Sequence, residues 1–406
     1  VTKVKDGHTV ENTATQVTND KRDKTNTVTN PLKEINPKKD VTVQVGGDSI
    51  DGKSVYLNHT FLYRLDSSIL PPDRAYQTVT DWGGTDQLAT EYDQYLGNWA
   101  VYASRDLYRD GQVLAARGEK IAGSGFDSSK FGGNLFAVDA DGNGKVTVNA
   151  TQAYLDLVSA DNEHEAGWVL YLQCKRIAVA DEVPNTWTET INGQPRESNK
   201  VVTKTPDMTP SIHLEKVDAP TLKQEGQERA DRDDPKQALK MDADSIGITF
   251  IITNTSKTDP ATGDGAWFKA SDLDLADSTI VGDAHVDMDS LAYPDNWDTL
   301  VLKPGESVSV TGTLKGVREG DTHTDRAIVT GTPLVECAPS NGDPFNDKTD
   351  GGEDTDPEYS TGDVTEIDGK QLCADTQATS NTDDWNGYRA KPLASTGTAV
   401  LGLAGG

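Results

Sequence analysis

The sequence has few cysteines, few basic residues and no long apolar run. Three cysteines in 406 residues exclude a disulfide-built scaffold, although one bridge and one free thiol remain compatible with that number. No uninterrupted apolar stretch reaches the roughly 18 residues that a membrane span needs. The 38 basic residues face 66 acidic ones, and the net charge is −28. Such a surface repels nucleic acids and anionic membranes, so we expect neither as a partner.

Common catalytic motifs are also missing. The sequence contains no Gly-x-Ser-x-Gly, no His-Glu-x-x-His, no phosphate-binding glycine loop and no Cys-x-x-Cys. Its six histidines are scattered singly, which favours ordinary surface side chains. We therefore expect no enzyme and no cofactor. An extracellular hydrolase is therefore the least favoured function.

Short apolar or alternating segments recur along the chain and predict β-strands. The clearest examples are residues 41–45, 99–103, 167–174, 246–252, 307–312 and 326–330. One helix is expected at residues 150–158, with Tyr154, Leu155 and Val158 on its apolar face. Many short strands between turn-forming residues are typical of β-sandwiches, so we predict an all-β chain of tandem immunoglobulin-like sandwiches.

An internal repeat suggests the domain boundaries. Residues 10–19 (VENTATQVTN) match residues 183–192 (VPNTWTETIN), and each copy continues to a second strand and a proline. Both copies predict a β-hairpin whose ladder ends at that proline. Because the second copy completes a domain, we predict these parts: residues 1–35, the final hairpin of an upstream domain; residues 36–206, a complete domain; residues 207–390, a second domain with an acidic loop; and residues 391–406, a terminal signal.

One short segment imitates the start of a calcium loop. Asp139, Asp141 and Asn143 occupy positions 1, 3 and 5 of the pattern, but Ala150 replaces the bidentate acid at position 12. The segment also separates two predicted strands, where a hairpin turn is the simpler interpretation and a structural calcium ion the alternative. A later run, residues 341–384, holds thirteen acidic residues and two lysines, which favours a long hydrated loop over weak divalent-ion binding.

Cys337 and Cys373 bracket most of the acidic run. A bridge between them would close a loop of about 37 residues and stabilise the fold by about 4 kcal/mol in the chain-entropy model. Such a disulfide implies an oxidising, extracellular setting. Cys174 alternates in phase with Leu170 and Leu172, so we expect a small buried core residue and not a nucleophile.

Five motifs in the first half of the chain resemble the C-terminal domains of antigen I/II-type adhesins. They are residues 34–41 (EINPKKDV), 49–54 (SIDGKS), 61–65 (FLYRL), 171–178 (YLQCKRIA) and 197–201 (ESNKV), and the resemblance covers residues 1–206. Those adhesins are wall-anchored surface proteins of Gram-positive bacteria. The resemblance implies immunoglobulin folds of the DE-variant type, many of them stitched by a Lys–Asn isopeptide bond that forms with help from a nearby carboxylic acid.

Strand parity suggests which residues could take these roles. Lys39 alternates in phase with Val41, Val43 and Val45, so it points into the core if those valines do, and Asn199 is in phase with Val201 on the last strand. We therefore predict an isopeptide bond between Lys39 and Asn199. A buried lysine paired with a carboxylate, without a covalent bond, is the alternative.

The assisting acid is less well defined by the sequence. In the family it lies near an acidic-Tyr motif, which here makes Glu91 the first candidate and Asp93 the second. Burial would push the Lys39 amine toward its neutral, nucleophilic form and the acid toward its protonated form. The protonated acid could then polarise the Asn199 carbonyl and shuttle protons as ammonia leaves.

The second half of the chain carries two weaker resemblances. Residues 210–216 (PSIHLEK), 251–256 (IITNTS), 302–308 (LKPGESV) and 323–329 (HTDRAIV) resemble immunoglobulin-like stalk repeats of bacterial surface proteins, which act as spacers. Residues 393–397 (LASTG) resemble the Leu-Ala-x-Thr-Gly sortase signal, and the apolar residues after them resemble the start of a truncated membrane segment. The signal implies attachment to peptidoglycan through Thr396.

These features together favour a wall-anchored surface adhesin. We expect a monomer at the extracellular surface of a Gram-positive bacterium, attached to peptidoglycan by a sortase and bound to a host or microbial surface glycoprotein. A passive stalk that projects an N-terminal binding head is the alternative. Binding of the fragment to host or bacterial surfaces would separate these two hypotheses.

Overall fold

A computed structural model of the chain describes residues 9–31, 35–74, 77–218, 231–338, 345 and 364–392. The chain divides into two compact units: residues 1–206 with 338–358, and residues 207–337 with 359–406. The division after Pro206 falls where the repeat suggests a boundary, whereas residues 338–358 group with the first unit and not with the second. Within the described residues, no helix combines the length and apolarity needed to cross a membrane.

The repeat corresponds to two hairpins with the same pairing. In the first copy, β1 pairs antiparallel with β4 and β2 with β3, where the strands are β1 (Thr9–Asn12), β2 (Thr15–Thr18), β3 (Lys21–Lys24) and β4 (Val28–Pro31). Asn19 and Asp20 form the tight turn with φ values of 50° and 62°. These are residue types that tolerate the left-handed region, which such two-residue hairpin turns require.

The first unit is a sandwich of two five-stranded sheets, with orders β11-β8-β14-β6-β5 and β12-β13-β7-β16-β17. Two-stranded sheets β9-β10 and β15-β18 flank them. The strands are β5 (Lys38–Thr42), β6 (Thr60–Asp66), β7 (Trp82–Gln87), β8 (Asp93–Ala103), β9 (Leu107–Arg109), β10 (Gln112–Ala115), β11 (Lys120–Gly123), β12 (Phe136–Ala140), β13 (Lys145–Ala150), β14 (Trp168–Arg176), β15 (Ala180–Asn185), β16 (Trp187–Ile191), β17 (Gln194–Glu197) and β18 (Val201–Thr205).

The two sheets enclose an aromatic core. Trp82 and Trp187 from the second sheet pack with Phe61 and Trp168 from the first, and all four are buried. The central strand β14 is buried along almost its whole length because both of its faces are covered. On the other face of its sheet, a second apolar cluster includes Leu62, Ala100, Val169, Tyr171 and Phe345.

The predicted helix and strands are largely confirmed. Helix α1 (Gln152–Ala160) overlaps the expected segment and buries the three residues of the predicted face. The prediction for residues 41–45 is wrong beyond Thr42, where β5 ends and leaves Val43 exposed. The chain turns back at Gly46, and Ile50 donates its N–H to the Val41 carbonyl at 2.8 Å.

The second unit has the same two-layer plan. One sheet has the order β19-β21-β26-β24 and the other β20-β32-β27-β23, with β31 beside β27; β22-β25 and β28-β30-β29 are smaller. The strands are β19 (Ile212–Asp218), β20 (Leu239–Lys240), β21 (Ser245–Asn254), β22 (Phe268–Lys269), β23 (Asp274–Val281), β24 (His285–Val286), β25 (Val301–Leu302), β26 (Ser307–Lys315), β27 (Thr322–Gly331), β28 (Leu334–Glu336), β29 (Thr365–Ile367), β30 (Lys370–Ala374), β31 (Ala378–Thr379) and β32 (Asp383–Tyr388). Two β-sandwiches in series confirm the predicted all-β fold.

Candidate functional site

Lys39 lies on β5 with its side chain inside the sandwich. Parity predicted this orientation, and the structure confirms it: the Lys39 side chain is 0% exposed. Its ammonium contacts the Asp86 carboxylate and lies 4.5 Å from the centre of the Tyr63 ring. Burial lowers the pKa of the Lys39 amine, although the charge and hydrogen bond of Asp86 oppose this shift. A lysine in this setting is closer to its neutral, nucleophilic form than one in water.

Asp86 is held at this point by β7, the middle strand of the second sheet. It lies opposite Trp187 of β16 and opposite Val146 of β13. Two residues before Asp86, the close packing requires a glycine. A Cβ at Gly84 would lie only 2.7 Å from the Trp187 ring. The Asp86 side chain is 0% exposed, and its Oδ1 atom has no hydrogen-bond partner among the described residues. Sequence reasoning did not single out Asp86.

Asn185, at the end of β15, carries a buried amide that is unusually poor in partners. Neither its Nδ2 nor its Oδ1 atom has a hydrogen-bond partner in the part of the chain that the structure describes. Burial alternates without a break from Val183 through Asn185 and Trp187 to Ile191, so Asn185 lies on the core-facing side. An unbonded buried amide costs free energy. It marks a position where another group is expected to engage the amide.

Asn185 is linked to the Lys39–Asp86 pair through Trp187, the first residue of β16. Asn185 precedes Trp187 by two residues, and Trp187 lies directly opposite Asp86. The Trp187 indole N–H also donates to the Lys38 carbonyl at 2.9 Å, which ties this part of the chain to β5. The amine, the carboxylate and the unbonded amide are therefore all buried in the first unit, with Trp187 two residues from the amide and directly opposite the carboxylate.

Asn199 occupies a different place from the one predicted. Its Oδ1 atom accepts the Lys39 backbone N–H at 2.9 Å, and its Nδ2 atom donates to the Lys39 carbonyl at 2.9 Å. Both ends of the amide are therefore bound by the Lys39 main chain, and Asn199 is exposed while the Lys39 amine is buried. Parity failed here because β18 begins only at Val201, so the strand alternation does not extend to Asn199.

Neither of the two acids predicted to assist the reaction, Glu91 and Asp93, contacts the Lys39 amine in the way that Asp86 does. Glu91 is exposed. Asp93 is buried, but its oxygens accept from Arg176 Nε and from the Tyr63 hydroxyl, each at 2.8 Å. Burial raises the pKa of Asp93, opposed mainly by the Arg176 charge. Asp93 therefore neutralises Arg176, and the acid in contact with Lys39 is Asp86.

The cysteines follow the sequence prediction. Cys337 and Cys373 form a disulfide with their Cα atoms 4.9 Å apart, next to the paired strands β28 and β30. Cys174 is a buried free thiol, and burial raises its pKa well above the ordinary value. A thiol in that state is protonated and unreactive, as expected for a core residue.

The remaining sequence candidates lie apart from this core. Asp139, Asp141 and Asn143 belong to the β12–β13 hairpin, where Asp141 Oδ1 accepts the backbone N–H groups of Asn143 at 2.7 Å and Lys145 at 3.1 Å. This arrangement is that of a turn; a calcium ion there stays a prediction. Thr396 and eight of the thirteen acidic residues of the later run lie outside the described residues.

Two family models match the first half of the chain. Residues 36–206 match the model of the cell surface antigen C-terminus, and residues 1–32 match the cell surface antigen I/II C2 terminal domain. The chain is also 36% identical over 201 residues to the aggregation substance of Enterococcus faecalis, which covers 49% of this chain and 14% of that protein. The chain therefore spans about one seventh of the length of this curated relative.

Two solved structures of C-terminal domains are similar to this chain over about half of its length. The antigen I/II-family protein AspA of Streptococcus pyogenes is 27% identical with a TM-score of 0.42, over 49% of this chain and 55% of that one. The antigen I/II polypeptide BspA of Streptococcus agalactiae is 22% identical with a TM-score of 0.42, over 49% and 59%. Residues 1–32 therefore match a domain of cell surface antigen I/II, and residues 36–206 match the C-terminus of cell surface antigens.

Proposed function

We propose that this chain is a section of the extracellular shaft of a wall-attached adhesin, hardened by an intramolecular isopeptide bond between Lys39 and Asn185. The match of residues 1–32 and 36–206 to cell-surface antigen models supports the extracellular role. The observation that carries the covalent bond is the buried Lys39–Asp86 pair, together with a buried Asn185 amide that has no hydrogen-bond partner among the described residues. Asn185 replaces the predicted Asn199, and Asp86 replaces the predicted Glu91 and Asp93.

The reaction needs only the three side chains. A proton passes from the Lys39 ammonium to Asp86, which leaves a neutral amine and a protonated carboxyl group. The amine nitrogen attacks Cγ of Asn185, while the Asp86 O–H hydrogen-bonds to the amide and stabilises the charge that develops there. Asp86 then carries a proton from the lysine nitrogen to the departing amide nitrogen, and one ammonia leaves. The product is a secondary amide between the two side chains.

The bond would join the first strand of the sandwich to the end of β15. It would close a loop of roughly 150 residues and stabilise the unit by about 5 kcal/mol in the chain-entropy model. Pulling force on the unit would pass through this bond, so most of the sandwich would carry no load. Such hardening suits a protein that holds a cell to a surface.

The test is the intact mass of the folded, reduced protein, followed by peptide mapping. We expect a linked peptide pair containing Lys39 and Asn185 that is lighter than its two linear peptides by one ammonia. Asn185→Ala should abolish this loss, and Asn199→Ala, the matched control, should retain it. Separate linear peptides from the wild-type protein, with a Lys39 amine that can be labelled after denaturation, would refute the bond.

The wider role also remains a proposal, because the chain covers only 14% of the curated relative. We infer that Thr396 is joined to peptidoglycan by a sortase, that the chain is a monomer, and that its partner is a host or microbial surface glycoprotein. Thr396→Ala should shift the full-length protein from the wall fraction to the membrane or the medium. The purified chain should bind saliva-coated, host or bacterial surfaces if it is an adhesive section, and should not if it is a passive stalk.

A further inference from the structure

A second buried lysine lies in the core of the second unit. Lys216 on β19 is directly opposite Phe250 of β21, and its ammonium is 5.4 Å from the centre of that ring. The Lys216 side chain is 0% exposed. Its Nζ contacts the Asp277 carboxylate and lies 2.7 Å from Oδ1 of Asp325. The ammonium is thus enclosed between two acids and an aromatic ring.

The two acids come from neighbouring strands of the opposite sheet. Asp277 on β23 pairs with Ala327, and Asp325 on β27 pairs with Thr279. The two acids are therefore diagonal neighbours on paired antiparallel strands. Their side chains are 2% and 0% exposed. One ammonium between two carboxylates leaves an excess of negative charge in a dry core, which is costly unless a proton is redistributed.

The protonation of Asp277 fits such a redistribution. Burial raises the pKa of Asp277 to about 6; the charge of Lys216 opposes this shift, and the charge of Asp325 adds to it. Asp277 can therefore accept and return a proton at neutral pH. A third polar side chain, His323, places its Nε2 atom 3.3 Å from Oδ2 of Asp325.

Asp325 is poorly satisfied as a simple ion-pair partner. Although Lys216 Nζ is close, neither Asp325 oxygen receives a well-aligned hydrogen bond from any described residue. Buried carboxylates in stable ion pairs are expected to accept several aligned hydrogen bonds. Lys216 Nζ is thus close enough to contact Asp325, but the hydrogen-bond geometry is not that of a satisfied salt bridge.

Three asparagine amides of the second unit are already engaged. Asn254 donates to the Ala266 and Leu302 carbonyls at 2.8 and 2.9 Å. Asn381 binds the Leu214 main chain through both ends of its amide. Asn386 donates to the carbonyls of Arg232 and Asp233 and accepts from the Thr324 hydroxyl. Among the described residues, the reactive groups in contact with the Lys216 amine are therefore the carboxyl groups of Asp277 and Asp325.

We propose that Lys216 and Asp325 form a second intramolecular amide bond, in the core of the second unit, with release of one water molecule. The bond goes beyond the link proposed for the first unit. It differs from that link in residues and in leaving group, since the first link releases ammonia. The two proposals can therefore fail independently.

The reaction balances without any external reagent. A proton passes from the Lys216 ammonium to the Asp325 carboxylate, and the neutral amine attacks Cγ of Asp325. Asp277 removes a second proton from the nitrogen and delivers it to the Asp325 hydroxyl, which leaves as water. His323, in the tautomer protonated at Nε2, donates to the remaining oxygen while it carries negative charge. The final state keeps the Asp277 carboxylate and gains an uncharged amide.

Peptide mapping of the reduced, denatured full chain tests the bond. We expect Lys216 and Asp325 in one linked peptide pair that is lighter than its linear peptides by one water, and a Lys216 amine that resists acetylation after denaturation. In Asp325→Asn the same link should form, but the intact protein should lose one ammonia from this unit in place of one water. Asp325→Ala should give only linear peptides.

The second unit also supplies a matched control. Lys315 and Asp287 are 2.6 Å apart, as close as the proposed pair, but their side chains are 52% and 30% exposed. We expect this pair to remain open, because water stabilises its charged forms. A link at Lys315 would refute the argument from burial. A wild-type Lys216 found in linear peptides, or linked to Asp277, would overturn the proposal; Lys216→Met provides a second variant if Asp325→Ala does not fold.

Discussion

The Lys39 ammonium and the Asp86 carboxylate form an ion pair whose two side chains are wholly shielded from solvent. Lys216 and Asp277 repeat this relationship in the second unit, again with a lysine on the first strand and an aromatic ring beside its amine. A buried ion pair contributes little to net stability, because desolvation offsets the Coulomb attraction. Two such pairs in successive sandwiches fit the two amide bonds that we propose.

The first prediction concerns the acid of the first unit. Asp86→Asn removes the group that accepts the Lys39 proton, so we expect the full, unmodified mass at this site and a labelled Lys39 amine after denaturation. Asp93→Asn is the matched control: it removes the partner of Arg176 but leaves Asp86 in place, and should retain the ammonia loss. An Asp86→Asn protein that still shows the Lys39–Asn185 link would contradict the role of Asp86.

The second prediction separates the two asparagines by stability. Asn185→Ala should lower the free energy of unfolding of the first unit by about 5 kcal/mol, the loop-closure value for a link across roughly 150 residues. Asn199→Ala removes two hydrogen bonds to the Lys39 main chain and should cost about 1–3 kcal/mol. Denaturant unfolding followed by the fluorescence of the buried tryptophans measures both. A larger cost for Asn199→Ala would reverse the assignment.

Sequence parity located the buried lysine but not its partners. Lys39 could be predicted because alternation with Val41 is a local property of one strand. Asn185 also alternates in phase, with Val183 and Trp187, and this signal could have been noticed. The internal repeat does not distinguish Asn185 from Asn199 as the partner of Lys39, because both have an asparagine at the matching position of the first copy. Asn12 aligns with Asn185, and Asn26 aligns with Asn199. The choice depends on how the end of β15 and the residues just before β18 pack against β5, a relationship set by long-range packing.

The acids illustrate the same limit. Asp86 follows Trp82 and Gly84 on one face of β7, so its burial could be anticipated, but its contact with Lys39 joins strands from opposite sheets. The fold class, the helix and the disulfide were predictable because strand alternation, helical periodicity and cysteine count are properties of short segments. Sheet order and the pairing of buried charges across the core are not.

The third prediction concerns the cysteines. Non-reducing peptide mapping should find Cys337 joined to Cys373, and reduction should destabilise the second unit by about 4 kcal/mol, since the loop holds about 37 residues. Cys174 should resist thiol reagents until the first unit unfolds, because burial keeps it protonated. Rapid labelling of Cys174 in the native protein would contradict its place in the core. Cys337→Ser with Cys373→Ser should reproduce the effect of reduction.

The last prediction is a pH dependence of the second unit that arises at Asp383. Burial beside Asp233 raises the pKa of Asp383 from 3.8 to about 8, while the Lys216 backbone N–H, which donates to its Oδ2 atom at 2.5 Å, opposes the shift. The folded state thus binds this proton more tightly than the unfolded chain does. The resulting stabilisation is complete below about pH 4 and is lost as the pH rises through about 8.

The melting temperature of the second unit should therefore fall between these pH values when followed by calorimetry, with its transition identified by sensitivity to reduction. Asp383→Asn keeps an oxygen that can accept the Lys216 N–H but cannot ionise, so it should flatten the profile and raise the melting temperature near pH 8. Asp384→Asn, the neighbouring control, removes only an exposed pair with Arg326 and should leave the slope unchanged. Equal slopes in wild type and Asp383→Asn would exclude Asp383 as the titrating group.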